Sequence, residues 1–309
     1  MTPSEPALKS LPLAEPEAAL PACLVTEPAR QTAPLVFSSP HSGRHYPPDF
    51  VSSSRLDAHT LRASEDAFVE ELFAAAPQHG APLVQAVYAR AYLDVNREAW
   101  EMDPDMFDGP LPDFVNARSG RVAAGLGTIA RVVASGTAIY NGRLPFAEAE
   151  RRVAVVYHPY HNTLARLLDR THAQFGCSVL IDCHSMPSCG GSWGDMPLKN
   201  MGAGTVPDFI LGDRYGRSCN TEVMAAAQQA LSSQGYRVVR NDPYSGGFNT
   251  RHYGVPREGR HALQIEINRA LYMDEATMSR SDGFVPVRDA LTALILALAA
   301  LPADLLKSA

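Results

Sequence analysis

Two histidines stand just beyond short apolar runs. His41 follows Leu35-Val36-Phe37-Ser38-Ser39-Pro40, and His184 follows Ser178-Val179-Leu180-Ile181-Asp182-Cys183. Two imidazoles and a carboxylate give a divalent metal three protein ligands and leave a fourth position for water, the arrangement of hydrolytic zinc sites. Either histidine alone reads equally well as a capping or core residue, but their twin placement points to metal. The carboxylate stays open between Asp66 and Glu65, because acids in a first helical turn more often serve the helix dipole. A further acid, Glu266, lies within Leu263-Gln264-Ile265-Glu266-Ile267. An ionisable group among such neighbours is costly unless it has a task or a partner. On a strand it shares a face with Gln264, opposite Ile265 and Ile267, and so can point out of the core toward a metal. A salt bridge to Arg269 is the structural alternative.

Weaker patterns surround these. Asn96-Arg97, with Arg90 shortly before, offers a guanidinium fork that matches a carboxylate, although an exposed pair with Glu98 or Glu101 would explain Arg97 as well. His158 and His161 share a helical face without an acid at ligand spacing, which suits pocket residues oriented by a carboxylate or carbonyl. The segment from Gly246 to Gly254 is polar and glycine-flanked, so it reads as a substrate-covering loop carrying Arg251 and His252, or as a plain hairpin loop. Ser185 and Cys183 lack the G-x-S-x-G elbow of a serine hydrolase.

These residues must be held by regular elements. Strands are expected at Leu35–Ser39, Pro82–Val87, Ala91–Val95, Thr128–Val133, Ser178–Ile181 and Ala262–Ile267. Helices are expected at Asp66–Ala76, Pro145–Phe175 with a kink at Pro159, Ser218–Ser233 and Val285–Ala300. The alternation predicts one α/β domain over residues 33–309, a mixed, largely parallel sheet covered by helices, preceded by a poorly ordered tail over 1–32. The loop from Met102 to Gly120 is long enough to suggest a functional role.

Composition bounds the partners. The chain of 309 residues carries a net charge of −6 and no basic run, which leaves no footprint for nucleic acid or an anionic membrane. The apolar stretch Ala290–Leu301 is shorter than the roughly twenty residues of a span. The five cysteines, Cys23, Cys177, Cys183, Cys189 and Cys219, are an odd number without C-x-x-C spacing and read as reduced thiols of a cytoplasmic protein. A small molecule is the expected partner, and the sequence fixes no oligomeric state.

Taken together, the segments Ser39-Pro40-His41-Ser42-Gly43, Ser64-Glu65-Asp66, Tyr92-Leu93-Asp94-Val95-Asn96-Arg97, Tyr157-His158-Pro159-Tyr160-His161, Asp182-Cys183-His184-Ser185-Met186-Pro187, Gly212-Asp213-Arg214-Tyr215-Gly216, Thr250-Arg251-His252-Tyr253-Gly254 and Gln264-Ile265-Glu266-Ile267-Asn268-Arg269 resemble the N-formylglutamate amidohydrolase family. The resemblance implies hydrolysis of N-formyl-L-glutamate to formate and L-glutamate, a step of histidine degradation. That family is distantly similar to zinc carboxypeptidases, which implies their phosphorylase/hydrolase-like fold. By order along the chain it implies His41, Asp66 and His184 as ligands of Zn²⁺ or another divalent transition metal, Asn96 and Arg97 as a carboxylate clamp, and Glu266 as general base. The chain departs from the carboxypeptidase pattern at Arg44, where their early acid would stand. Rival readings are a zinc amidase for another N-acyl acidic amino acid or small peptide, and a non-catalytic protein that binds acidic ligands.

Overall fold

Unbroken apolar strands such as Ser178–Ile181 require cover on both faces, and the sheet is built accordingly. The computed structural model describes residues 20–133, 136–188 and 206–307. Its main sheet holds β1 (Cys23–Thr26), β2 (Leu35–Ser39), β3 (Leu83–Ala86), β4 (Ser178–Met186), β5 (Phe209–Gly212), β6 (Val238–Arg240) and β7 (Arg260–Asn268). The spatial order is β1-β3-β2-β4-β7-β5-β6, parallel except where β1 meets β3 and β5 meets β7. The helices are α1 (Pro48–Ser53), α2 (Ala58–Arg62), α3 (Val69–Leu72), α4 (Gly120–Ala123), α5 (Phe146–Arg152), α6 (His158–Phe175), α7 (Thr221–Ser232), α8 (Phe248–Tyr253) and α9 (Phe284–Ala299). The expected class, a single α/β domain with a mixed and mostly parallel sheet, is the observed one.

Strand periodicity sorts the two cores. Val179, Ile181 and Cys183 of β4 join Leu263, Ile265 and Ile267 of β7 in a core shared with α3, α7 and α9. Leu180 and Ala262 face the other way, among Val36, Tyr160, Leu164 and Leu167. By the same alternation, Asp182, His184, Gln264 and Glu266 lie on this second face. The β4–β7 register pairs Asp182 with Gln264 and His184 with Glu266. The chemistry thus emerges at the carboxyl ends of the two central strands, where open α/β sheets place their ligands.

Several expectations are corrected. Order begins upstream of residue 33, because Cys23–Thr26 pairs with β3 as an edge strand; residues 1–19 and Cys189 lie outside the described residues. Ala91–Val95 is a set of turns, since Tyr92 and Leu93 donate to the Ala89 carbonyl and Asn96 N–H donates to the Asp94 side chain, local bonds that replace a ladder. Thr128–Val133 forms loop bonds to Glu101 and Gly125 while its apolar side chains join the core. The helix expected from Asp66 shrinks to α3, because Phe68 is left-handed at φ 65° and Asp66 N–H is drawn to the His41 carbonyl. Residues 146–175 form one helical run, with a π turn at Val153–Tyr157 just before Pro159, where the kink was expected. A π turn accommodates a proline that cannot donate to the preceding turn. β5 and β6 are strands beyond those expected.

After His41 the chain runs against Val87–Ala89, with His45 N–H bonded to the Val87 carbonyl. A Cβ on Gly43 would stand 2.2 Å from the Tyr88 carbonyl oxygen, an approach only glycine permits. Gly43→Ala is therefore expected to destabilise the fold by about 1–3 kcal/mol, as backbone displacement in a packed region does. Denaturant unfolding checks this, and an unchanged midpoint would contradict the packing described.

Candidate metal centre and active site

His41 leaves the end of β2 through Pro40, and Asp66 is tied beside it by its backbone bond to the His41 carbonyl. His184 projects from β4. One ligand atom from each residue lies within 4.8 Å of the others, and all three residues are buried. Asp66 Oδ2 is 3.4 Å from His41 Nδ1 and 3.1 Å from His184 Nδ1. Asp66 Oδ1 is held from behind by the Arg269 guanidinium at 3.1 Å and by the Ser185 hydroxyl at 3.2 Å. Glu65, the alternative acid, is turned away and accepts bonds from Tyr46 and Arg62.

The outer nitrogens of both rings face carboxylates. His41 Nε2 is 2.7 Å from Asp94 Oδ1, and His184 Nε2 is 2.9 Å from Asp182 Oδ2. Such a partner fixes the ring orientation and leaves the inner nitrogen to a metal. A neutral imidazole carries one proton and satisfies one carboxylate. Here each ring meets a carboxylate on both sides, and His41 Nδ1 is buried with no hydrogen bond. A cation among the two Nδ1 atoms and Asp66 Oδ2 resolves both conflicts, so the residues fit a divalent metal.

The electrostatics follow the same geometry. Burial works against ionised Asp66, but His184 and His41 outweigh it and hold the carboxyl well below its usual range. Burial likewise opposes Asp94, and Arg90, Arg97 and His41 together hold it low. For Glu266 burial prevails and pushes it up to about 7, with His184 and Arg90 opposing and Asp66 and Asp182 adding. A carboxyl tuned to neutrality is suited to taking and returning a proton. Gln264 Nε2 orients it by donating to Oε1 at 2.8 Å.

A cavity of about 330 Å³ opens onto this cluster, lined among others by His41, Asp66, His184, Glu266, Arg90 and Arg97. Arg97 is buried. Its Nε donates to the Leu126 carbonyl at 2.9 Å and its Nη1 to the Asn96 carbonyl at 2.8 Å, while Nη2 is 3.7 Å from Asp94. Burial lowers its pKa to about 10 despite Asp94, which marks a cation only partly compensated. Arg90 Nη2 donates to Asp94 at 2.7 Å.

The remaining expected residues stand apart from the cavity. Asn96 lies behind it, bonding Asp182 and the His184 ring and accepting the Asn249 N–H. Arg251 pairs with Glu98 at an adjoining cavity. His161 is taken by Tyr253 and the Val95 carbonyl, and His158 and His252 are exposed. The loop expected from Gly246 instead contains α8, with Gly246 and Gly247 lining the cavity. Sequence reasoning missed the supporting roles of Asp94, Asp182 and Asn249. Asp94 and Asp182 each stand two residues before a site residue, Asn96 and His184, and that spacing was the available signal.

An α/β sheet with two carboxylate-backed imidazoles, a buried aspartate and a neighbouring glutamate at its carboxyl edge has the make-up of a hydrolase site. Residues 33–273 match the N-formylglutamate amidohydrolase family, and the chain belongs to it. It is 32% identical to N-formylglutamate deformylase of Pseudomonas aeruginosa strain PAO1, over 80% of this chain and 84% of that one. It is also 32% identical to the N-formylglutamate deformylase of Pseudomonas putida, over 88% and 94%. The crystal structure of N-formylglutamate amidohydrolase from Ralstonia eutropha JMP134 superposes with a TM-score of 0.84 at 36% identity, covering 91% of this chain and 98% of that one. A gene product of Agrobacterium tumefaciens shares the fold, with a TM-score of 0.61 at 18% identity over 90% and 95% of the two chains. The protein is thus an enzyme that hydrolyses an amide carbon–nitrogen bond. No helix among the described residues is long and apolar enough to cross a membrane.

Loss of a carboxylate behind a metal-binding histidine typically weakens metal affinity 10–100-fold. Asp94→Asn and Asp182→Asn should each do so, measured by competition with a chromogenic chelator. His184→Ala should lose the metal outright, and full metal occupancy in that variant would remove His184 from the centre.

Proposed function

We propose that this protein hydrolyses N-formyl-L-glutamate to formate and L-glutamate with a divalent metal, Zn²⁺ for preference, held by His41, Asp66 and His184. The observation that supports this most is the buried His41 Nδ1 facing Asp66 and His184, with Glu266 on the neighbouring strand and arginines in the same cavity. The relatives from the two Pseudomonas species carry the name of this deformylation. When bound, such a metal polarises the formyl carbonyl and acidifies water.

The chain's own residues supply the rest. Glu266 takes a proton from the water that attacks the formyl carbon, and Gln264 keeps its carboxylate aimed during the transfer. As the carbon–nitrogen bond breaks, the same carboxyl returns that proton to the amine nitrogen, releasing glutamate and formate. Arg97, backed by Arg90 and Asp94, gives the substrate's α-carboxylate a positive wall. Asp94 and Asp182 keep the imidazoles turned so that their inner nitrogens face Asp66. A place in histidine degradation and a cytoplasmic setting complete the reading, in keeping with the free thiols Cys23, Cys177, Cys183 and Cys219.

Glu266→Gln retains shape and hydrogen bonding but cannot take the proton. It should stay metal-loaded while kcat for formate release falls roughly 10²–10⁴-fold, the usual worth of a general base. A folded, loaded variant within a few-fold of wild type would exclude Glu266 from proton transfer. Chelation should abolish formate release and Zn²⁺ restore it; turnover that survives complete metal removal would overturn the metal-dependent reading.

A further inference from the structure

The first cavity adjoins a second of about 350 Å³, and the two share Ser245, Gly246, Gly247 and Arg121 in their walls. Arg121 is the only described arginine that lines both. Of the other arginines in the two walls, Arg269 pairs with Asp66, Arg90 with Asp94 and Arg251 with Glu98, while Arg214 lines the second cavity only. Among the described residues Arg121 forms no ion pair and no side-chain hydrogen bond.

Its position is built rather than incidental. Ser119 caps α4 by accepting the Val122 N–H at 3.0 Å, and the Arg121 carbonyl accepts the Leu126 N–H at 2.8 Å. The Leu126 carbonyl in turn accepts Arg97 Nε at 2.9 Å. One residue therefore tethers the Arg121 backbone and the Arg97 guanidinium to each other. The charge of Arg121 acts with burial to lower the Arg97 pKa. Two guanidinium groups held in one another's field are unfavourable unless anions offset them; Asp94 and Glu101 do so for Arg97, and Glu98 and Glu101 share the second cavity's wall with Arg121 without an ion pair to it.

We infer that Arg121 is a specificity-determining residue, which binds the side-chain carboxylate of an acidic N-acyl amino acid at the junction of the two cavities. The assignment rests on the function proposed above and deepens it. The α-carboxylate is two bonds from the scissile amide nitrogen and belongs with Arg97, which reaches the metal group through Asp94 and His41. The side-chain carboxylate lies farther along the substrate and belongs with Arg121, which is partly exposed and sits toward the second cavity.

The test compares metal-loaded wild type, Arg121→Gln and Arg121→Lys on N-formyl-L-glutamate and N-formyl-L-glutamine, with folding and metal content verified for each. Arg121→Gln should raise KM for formylglutamate about 30–300-fold with kcat within a few-fold, as loss of a charge-assisted bidentate bond does. The preference for glutamate over glutamine should collapse by a similar factor, and Arg121→Lys should restore part of it. Equal losses on both substrates, or an unaltered KM for formylglutamate, would overturn the assignment. If wild type hydrolyses neither substrate, the proposed reaction falls, and calorimetric titration with glutarate against butyrate decides the site. Arg121→Gln must then weaken glutarate at least tenfold more than butyrate; a smaller difference, or no glutarate binding by wild type, overturns it.

Discussion

Asp66 is the group on which the rest of the site depends. One oxygen faces both imidazoles and the other is gripped by Arg269 and Ser185, all away from water. A buried carboxylate is tolerated only when its charge is matched and its lone pairs are filled. Arg269 supplies the match from the end of β7, and its remaining N–H groups bind the carbonyls of Ala63 and Glu65. The same guanidinium thus neutralises Asp66 and fixes the loop that carries it. Without that anchor the carboxylate and the strand-borne His184 would have no common frame.

The anchor also accounts for what the chain reveals in advance and what it hides. Strands β2, β4 and β7 were legible because each contains a short apolar stretch, and the polar residues after or within it stood out by contrast. The sheet order and the β5–β7 antiparallel pairing were not, since pairing is a long-range choice that local periodicity does not encode. Asp66 looked like a helix-dipole partner because Asp66 to Ala76 has helical spacing. Tertiary bonds to His41 and Arg269 overrode that propensity and left only a single turn, α3, as helix.

His158 and His161 were expected as pocket residues held by a carboxylate or carbonyl; the carbonyl is there for His161, but neither residue lines the cavity. Their spacing is that of a metal pair, but spacing on a helix fixes only which residues share a face, not what that face meets. His161 meets Tyr253 and a backbone carbonyl, and burial lowers its pKa to about 4, so it is a neutral packing residue. His158 faces solvent. In a strand-exit histidine the backbone already points the side chain toward the functional edge of the sheet, which is why His41 and His184 were the more informative pair.

The Asn96-Arg97 motif carries the same lesson at the scale of a dipeptide. Adjacent residues in a turn send their side chains in different directions, and here they serve different layers. Arg97 lines the cavity, whereas the Asn96 amide bridges Asp182, His184 and the Asn249 backbone behind it. Gly247 makes that bridge possible, because a Cβ there would meet the Asn96 amide at 2.7 Å. The motif therefore couples two tasks through one peptide bond: Asn96 keeps α8 and β4 in fixed relation to the His184 ring, and Arg97 presents positive charge to whatever enters. The clamp expected of Asn96 and Arg97 together separates into one cavity-lining guanidinium and one structural tie, and the setting of the His184 ring rests on the tie.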